Sequence, residues 1–297
     1  MEQDNFSGFH PVIAFAYFLF VIGISMFMMH PVFLALSFLG GTVYYIYLKR
    51  KKALKTMLWL ILPVLVLSTL LNPLFNHEGA TILGYFSTGN PLTLESIVYG
   101  LVSGVMIVSV LNWFSCYQCV MTSDKFIYLF GKIIPAMSLI FSMVLRFVPK
   151  FKAQIQKVSD AQKCIGRDVT NGNVLQRAKH GMKILSVMIT WALENSVETA
   201  DSMRSRGYGL RGRNNFSIYR FDSRDTRLMC GMAVLGGIVF SGILLKKVTV
   251  LYYPLIVVNN PSISAAAVYI AYGIFCFLPF ILDIMEDIKW HYLRLGI

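Results

Sequence analysis

Long apolar runs nearly free of charge recur along this chain and constrain its fold more than any other feature. Several approach or exceed the roughly 20 apolar residues that a helix needs to cross a bilayer. The runs cover residues 11–29, 31–48, 56–72, 94–115, 228–245 and 264–282. With 56% hydrophobic and 14% charged residues, the composition excludes an ordinary soluble globule. We therefore predict an all-α polytopic membrane protein with about six transmembrane helices.

The charge distribution predicts which segments face the cytoplasm. A basic cluster follows the second run, and residues 146–227 hold sixteen of the 27 Lys and Arg residues, whereas residues 73–95 hold none. The net charge of +12 belongs to segments beside membrane spans, which the positive-inside rule explains without nucleic acid as a partner. We predict that both termini and residues 146–227 are cytoplasmic and that residues 73–95 are external.

Residues 123–148 are apolar enough to be mistaken for a further span. If they crossed, the sixteen basic residues of 146–227 would be exported, which inverts the charge rule. We interpret this stretch as interfacial or re-entrant, and we predict a shorter interfacial helix beside two long ones. The predicted domains are an N-terminal bundle of about four spans (1–116), a cytoplasmic or interfacial coupling domain (117–227) and a C-terminal pair of spans (228–297).

Two long amphipathic helices are predicted in the coupling domain, over residues 135–165 and 178–204, with a turn at 171–173. Their apolar residues recur at alternating spacings of three and four, which places them on one face of each helix. These stripes include Val144, Val148, Phe151, Leu185, Met188 and Ala192. The helices form either a platform for partner proteins or a pair that lies on lipid headgroups.

The chain lacks the common motifs of catalysis and ATP binding. It contains no P-loop, no His-Glu-x-x-His and no Gly-x-Ser-x-Gly. The predicted spans are nearly free of the charges that line an ion or substrate path. Together with the basic helical platform, this favours a coupling subunit. The alternatives are a self-sufficient permease and a membrane-embedded enzyme that uses Cys116 and Cys119 or the scattered histidines.

The ends of the two long helices resemble a known family. The chain is similar to the EcfT/CbiQ-like transmembrane T component of energy-coupling factor (ECF) importers of vitamins and metals, whose motif is Ala-Arg-Gly at the end of each of two coupling helices. Residues 72–75, 90–93 and 145–149 also match the family. The second motif is recognisable here as Ser205, Arg206 and Gly207.

The first motif is degenerate in this chain. It falls on Cys164, Ile165 and Gly166, so only the glycine is in register, and Arg167 follows as a candidate substitute for the missing arginine. The resemblance implies that each motif contacts acidic residues in a groove of one partner subunit.

The resemblance also implies a set of partners. Two cytosolic ATP-binding-cassette ATPases would each hold one helix end, and a substrate-binding membrane S component, which chooses the substrate, would lie on the apolar stripes. ATP and Mg²⁺ would be bound by the ATPases, with no cofactor in this chain. The expected location is the cytoplasmic membrane of a prokaryote, with membrane lipids as further partners.

Overall fold

The computed structural model describes residues 5–49, 51–85, 89–131, 134–208, 210, 219–258 and 262–295. The chain divides into two compact units, the first made of residues 1–126 and 219–297 and the second of residues 127–218. The predicted domain boundaries at 116 and 227 stay predictions.

The first unit is a helical bundle. Its helices are α1 (Pro11–Phe27), α2 (Pro31–Lys49), α3 (Lys51–Phe75), α4 (Leu94–Val120), α8 (Ser223–Leu244) and α9 (Ile263–Leu295). A short helix, α5 (Ser123–Gly131), begins in this unit and ends in the second. In the bundle, α2 packs against α4 and α9, α4 packs against α1 and α3, and α8 packs against α9 and α1.

Each of the six apolar runs forms a helix, as predicted. In the part of the chain that the structure describes, four helices are long and apolar enough to cross a membrane: α2, α4, α8 and the Ile263–Trp290 part of α9. Helix α1 and the Ile61–Phe75 part of α3 are apolar but shorter. The all-helical prediction is thus confirmed in its main outline, and the count of six crossings stays a prediction.

Two short antiparallel strand pairs lie in the connections of this unit. Strand β1 (Ile82–Tyr85) pairs with β2 (Pro91–Thr93) between α3 and α4, and β3 (Val250–Leu251) pairs with β4 (Val257–Val258) between α8 and α9. The sequence predicted only that residues 73–95 are external, and strands β1 and β2 were missed. They contain a Gly and a Pro, which weaken a strand pattern.

Aromatic side chains and a small hydrogen-bond network fill the centre of the bundle. The rings of Tyr17 on α1 and Phe275 on α9 stack with centroids 5.2 Å apart. The indole Nε1–H of Trp113 on α4 donates to Ser37 Oγ on α2 at 2.9 Å, and Ser37 Oγ lies 2.5 Å from Ser25 Oγ on α1. Because lipid offers no hydrogen-bond partners, such interhelical bonds favour one arrangement of the helices.

The three connections α1–α2, α3–α4 and α8–α9 contact one another at one end of the bundle. The Tyr252 hydroxyl donates to the Met29 carbonyl at 2.6 Å, the Asn76 amide donates to the Tyr253 hydroxyl at 3.0 Å, and the Ala80 N–H donates to the Pro254 carbonyl at 3.1 Å. Burial raises the pKa of Tyr252 to about 12, so its hydroxyl remains a donor at neutral pH.

At the opposite end of the bundle, an acidic turn of α9 bonds to other parts of the unit. This turn is formed by Asp283, Glu286 and Asp287. Asp283 accepts a hydrogen bond from the Phe6 N–H at 3.0 Å. Glu286 pairs with Arg224 of α8 at 2.9 Å, and Asp287 accepts from the Tyr47 hydroxyl of α2 at 2.8 Å. The beginning of α1 and the end of α9 therefore lie at the same end of the bundle. Helix α9 continues to Leu295, beyond the apolar run that ends at residue 282.

The second unit is formed by two long helices, α6 (Pro135–Cys164) and α7 (Val174–Ser205). Helix α6 ends one residue before the prediction, and α7 begins four residues before it, where Asn173 and Gln176 form a capping box. Within the stretch interpreted as interfacial or re-entrant, the structure has the short helix α5, and α6 begins at Pro135, as predicted, where proline starts a helix well.

Candidate functional site

Helix α6 ends in a Schellman motif at residues 164–167, which we call the first tip. After Cys164, Ile165 is the C-cap, and Gly166 has φ of +78°. The Gly166 N–H donates to the Lys163 carbonyl at 3.0 Å, and the Arg167 N–H donates to the Gln162 carbonyl at 2.9 Å. These bonds satisfy carbonyls that a helix end would otherwise leave open, and glycine allows them because it adopts positive φ without strain.

Helix α7 ends in the same motif at residues 205–208, the second tip. Arg206 is the C-cap and Gly207 has φ of +77°. The Gly207 N–H donates to the Arg204 carbonyl at 3.0 Å, and the Tyr208 N–H donates to the Met203 carbonyl at 3.1 Å. The two helices therefore end in one backbone conformation, although only the second carries the full Arg-Gly pair.

This correspondence shows how the two motifs align. Ile165 occupies the position of Arg206, and Arg167 occupies the position of Tyr208, on the other side of the glycine. Ile165 is 66% exposed and Arg206 is also exposed, whereas Arg167 is half-buried. The side chain of Arg167 is therefore attached to the backbone after the glycine of its tip, whereas that of Arg206 is attached before it.

The loop after the first tip is built around Asp168. Its carboxylate accepts hydrogen bonds from the Thr170 N–H at 2.9 Å and the Thr170 hydroxyl at 2.7 Å, and Lys163 Nζ lies 3.8 Å away. The bonds from Thr170 lower the pKa of Asp168, so the group is an anion at neutral pH. The Arg177 Nε–H donates to the Val169 carbonyl at 2.7 Å and ties the loop to α7. The first tip and the loop after it therefore combine basic and acidic groups.

The predicted apolar stripe of α6 is exposed over much of its length. Val144 and Val148 are exposed, Phe151 is half-buried, and all three line one shallow groove. The other lining residues are Phe147, Lys152, Ile155 and Gln156. An apolar face of this kind fits another apolar surface, either protein or lipid.

The predicted stripe of α7 divides between two faces. Leu185 is 54% exposed and Ala192 is half-buried, whereas Met188 is only 6% exposed. Met188 lies one turn before Trp191 and two turns before Asn195, which contact α6, so the helical period places it on the α6-facing side. Its place on a partner-facing surface stays a prediction. The exposed apolar residues of α7 include Met182, Leu185, Ile189 and Leu193.

The contact between α6 and α7 includes a cluster that sequence reasoning missed. The Phe151 and Trp191 rings meet edge to face with centroids 5.2 Å apart. Lys150 Nζ donates to Asn195 Oδ1 at 2.7 Å and lies 5.5 Å from the centre of the Trp191 ring. Lys150 was one of the sixteen basic residues counted in residues 146–227. The available signal for a contact face was the spacing of Trp191 and Asn195, which lie four residues apart and therefore on one face of an amphipathic helix.

The two cysteines considered for other chemistry differ in burial. Cys116 is buried and Cys119 is exposed, and neither is in a disulfide bond within the described residues. Over the described ranges, no group of three or more His, Cys, Asp or Glu side chains could hold a metal ion.

Comparison with known proteins identifies relatives. The profile of the CbiQ family, described as "Cobalt transport protein", matches residues 7–218. The Listeria innocua protein "Energy-coupling factor transporter transmembrane protein EcfT" is 29% identical over 204 residues, 64% of this chain and 73% of that protein. Proteins with the same name from Bacillus subtilis and Streptococcus thermophilus are each 26% identical, over 64% and 67% of this chain and 73% and 80% of their own lengths.

The family match begins just before α1 and ends after the second tip, so it includes both helices that carry the tips. Because it covers more than half of the 297 residues, the chain belongs to the CbiQ family of EcfT-like transmembrane T components of energy-coupling factor transporters.

Proposed function

We propose that this transport subunit transmits conformational change from two cytosolic ATP-binding-cassette ATPases to a substrate-binding membrane S component. Each ATPase binds one tip, and their closure on ATP moves α6 and α7. ATP and Mg²⁺ are bound by the ATPases, and the S component selects the micronutrient. The observation that carries this proposal is the Schellman motif that ends both helices. Two similar partners require two similar docking elements, and residues 164–167 and 205–208 meet that requirement.

The second tip suits an acidic groove. Arg206 is exposed and follows the last turn of α7, so its guanidinium is free to form paired hydrogen bonds with carboxylates of a partner. Gly207 ends the helix immediately afterwards, which lets the tip enter a narrow groove. Removing one partner of a buried Arg–carboxylate pair costs about 3–5 kcal/mol, because the other charge stays buried.

The exposed apolar faces of α6 and α7 suit the S component. Val144, Val148 and Phe151 line the groove on α6, and Leu185 lies on the exposed face of α7. A membrane protein presents apolar surface, so such faces bind it without burying unpaired polar groups. Lipid is the competing occupant of the same surface.

We further propose six crossings, with both termini in the cytoplasm of a prokaryote. The positions of the connections support this number. The α1–α2, α3–α4 and α8–α9 connections meet at one end of the bundle, and the Phe6–Asp283 contact lies at the other end. The sixteen basic residues of 146–227 support a cytoplasmic coupling domain. The named relatives from Listeria, Bacillus and Streptococcus are bacterial.

Affinity purification of the tagged chain from its native membrane tests the proposal. We expect two ATPase subunits and a small membrane protein to co-purify, and ATP hydrolysis by the complex but not by the isolated chain. Transport by the purified chain alone in liposomes would instead establish a self-sufficient permease. Loss of function in a Cys116→Ser, Cys119→Ser double variant that still assembles would support the membrane-embedded enzyme.

A further inference from the structure

Lys150 lies where α6 contacts α7 and meets three side chains there. Its Nζ donates to Asn195 Oδ1 at 2.7 Å and lies 5.5 Å from the Trp191 ring centre, both on α7. It also lies 5.9 Å from the ring centre of Phe147, one turn earlier on α6. An ammonium group is attracted to the faces of aromatic rings and to an amide oxygen, so one cation joins the two helices.

These contacts restrict how α7 lies against α6. The Phe151–Trp191 packing is apolar, and apolar packing tolerates small rotations about the contact. The Lys150–Asn195 hydrogen bond is directional, since such bonds weaken steeply away from linear geometry. A slip of α7 by one turn, about 5.4 Å, would remove both Trp191 and Asn195 from Lys150.

The tips lie far along their helices from this contact, so small angular changes there have large effects. Cys164 is about 21 Å along α6 from Lys150, and Ser205 is about 15 Å along α7 from Asn195, at about 1.5 Å per residue. A change of about 10° in the crossing angle would therefore displace the first tip by about 4 Å. That displacement exceeds the length of a hydrogen bond.

We propose that Lys150 is a positioning residue that fixes the crossing of α6 and α7 and thereby the separation of the two tips. The role of the tips as ATPase-binding elements rests on the proposed function, whereas their separation is a property of this chain alone. In a complex, a fixed crossing makes the two helices move together, so that displacement at one tip reaches the other.

Distance measurement between spin labels tests this directly. Nitroxides are attached to the native Cys164 and to Ser205→Cys in the full chain in lipid nanodiscs, with the other exposed cysteines, Cys119 and Cys230, replaced by serine. Pulsed electron spin resonance should give one narrow distance distribution. In Lys150→Met we expect a distance distribution that is broadened, or shifted by about 4 Å, because the tips lie far along α6 and α7 from the contact.

Two variants serve as controls for charge and chemistry. Lys157→Met removes one exposed positive charge from the same helix and should leave the distribution unchanged. Lys150→Arg retains the cation and the donor and should keep the distribution narrow. Asn195→Leu removes the acceptor instead of the cation and should broaden the distribution, which provides a second route if Lys150→Met does not fold.

The outcomes separate this proposal from the proposed function. If Lys150→Met and Asn195→Leu both give the distribution of Lys157→Met, the positioning role of Lys150 is overturned. The same variants are then carried through affinity purification with the ATPases. If the unsubstituted chain retains no ATPase, the proposed function fails, while the distance measurement still decides the role of Lys150.

Discussion

Ile165 and Arg206 occupy the same position in two helix ends that share one pattern of hydrogen bonds. Each is the C-cap residue directly before a glycine with φ near +78°, and each is exposed. The two tips therefore present the same backbone with different side chains, one apolar and one cationic. If two like ATPases bind them, the two contacts differ in strength and in salt dependence.

Arg206→Glu should weaken retention of the ATPases strongly. The substitution places a carboxylate where the proposed groove presents acidic residues, and the loss of the ion pair corresponds to about a 100-fold or larger decrease in affinity. Co-purification at graded salt concentrations measures it. Arg204→Glu is the matched control, since Arg204 is exposed in the last turn of the same helix and undergoes the same charge change. Equal retention by both variants would exclude a special role for Arg206.

Ile165→Arg should strengthen the first tip. The substitution restores a cation at the C-cap position, where Arg206 has its own, and arginine near a helix C-terminus is also favourable for the helix itself. We expect retention of the ATPases to persist to higher salt.

Arg167→Ala should reduce retention of the ATPases less than Arg206→Ala does, because Arg167 lies on the other side of the glycine. A larger effect of Arg167→Ala would show that Arg167 substitutes for the missing arginine.

Gly207→Ala should destabilise the second tip by about 1 kcal/mol, because a residue with a Cβ is strained at positive φ. A Cβ at this position would also lie 3.2 Å from Leu210 Cδ1. Hydrogen exchange of the Tyr208 amide should accelerate, since that amide closes the motif. Gly181→Ala is the control: Gly181 lies inside α7 with open space at its Cβ position, so alanine should stabilise the helix by about 0.5–1 kcal/mol.

Asp283→Leu should destabilise the bundle by about 1–3 kcal/mol, because the Phe6 N–H would lose its acceptor inside a buried site. Thermal unfolding in detergent measures the change. Glu286→Gln, one turn away, breaks an exposed ion pair with Arg224 and should cost less than about 1 kcal/mol. Equal effects of the two substitutions would contradict the importance of burial at Asp283.

Much of the fold follows from local sequence patterns. Apolar runs predicted the helices of the bundle, and the stripe on α6 predicted its length to within one residue, because both depend on neighbours three or four residues apart. Helix α9 continues 13 residues beyond the apolar run that ends at residue 282, and charged residues in this extension have partners that are distant in sequence. Strands β1 and β2 were missed because Gly84 and Pro91 weaken their short strand patterns.

The candidate site was predictable only in part. The Arg-Gly pair of the second tip and the glycine of the first were visible in the sequence, and these glycines do adopt positive φ. The difference between Ile165 and Arg167 needed the hydrogen bonds of the two tips. The Lys150–Asn195 contact joins residues 45 positions apart, and no local pattern specifies which lysine of α6 faces α7.

The hydrogen bond between Phe6 and Asp283 has a consequence for biosynthesis. The ribosome adds Asp283 277 residues after Phe6, so the acceptor for this N–H arrives only when the last helix has been made. Until α9 inserts, the N-terminal segment has no buried place beside the acidic turn. A nascent chain that stops before residue 283 therefore lacks the acceptor that joins the two termini of the described chain at this end of the bundle.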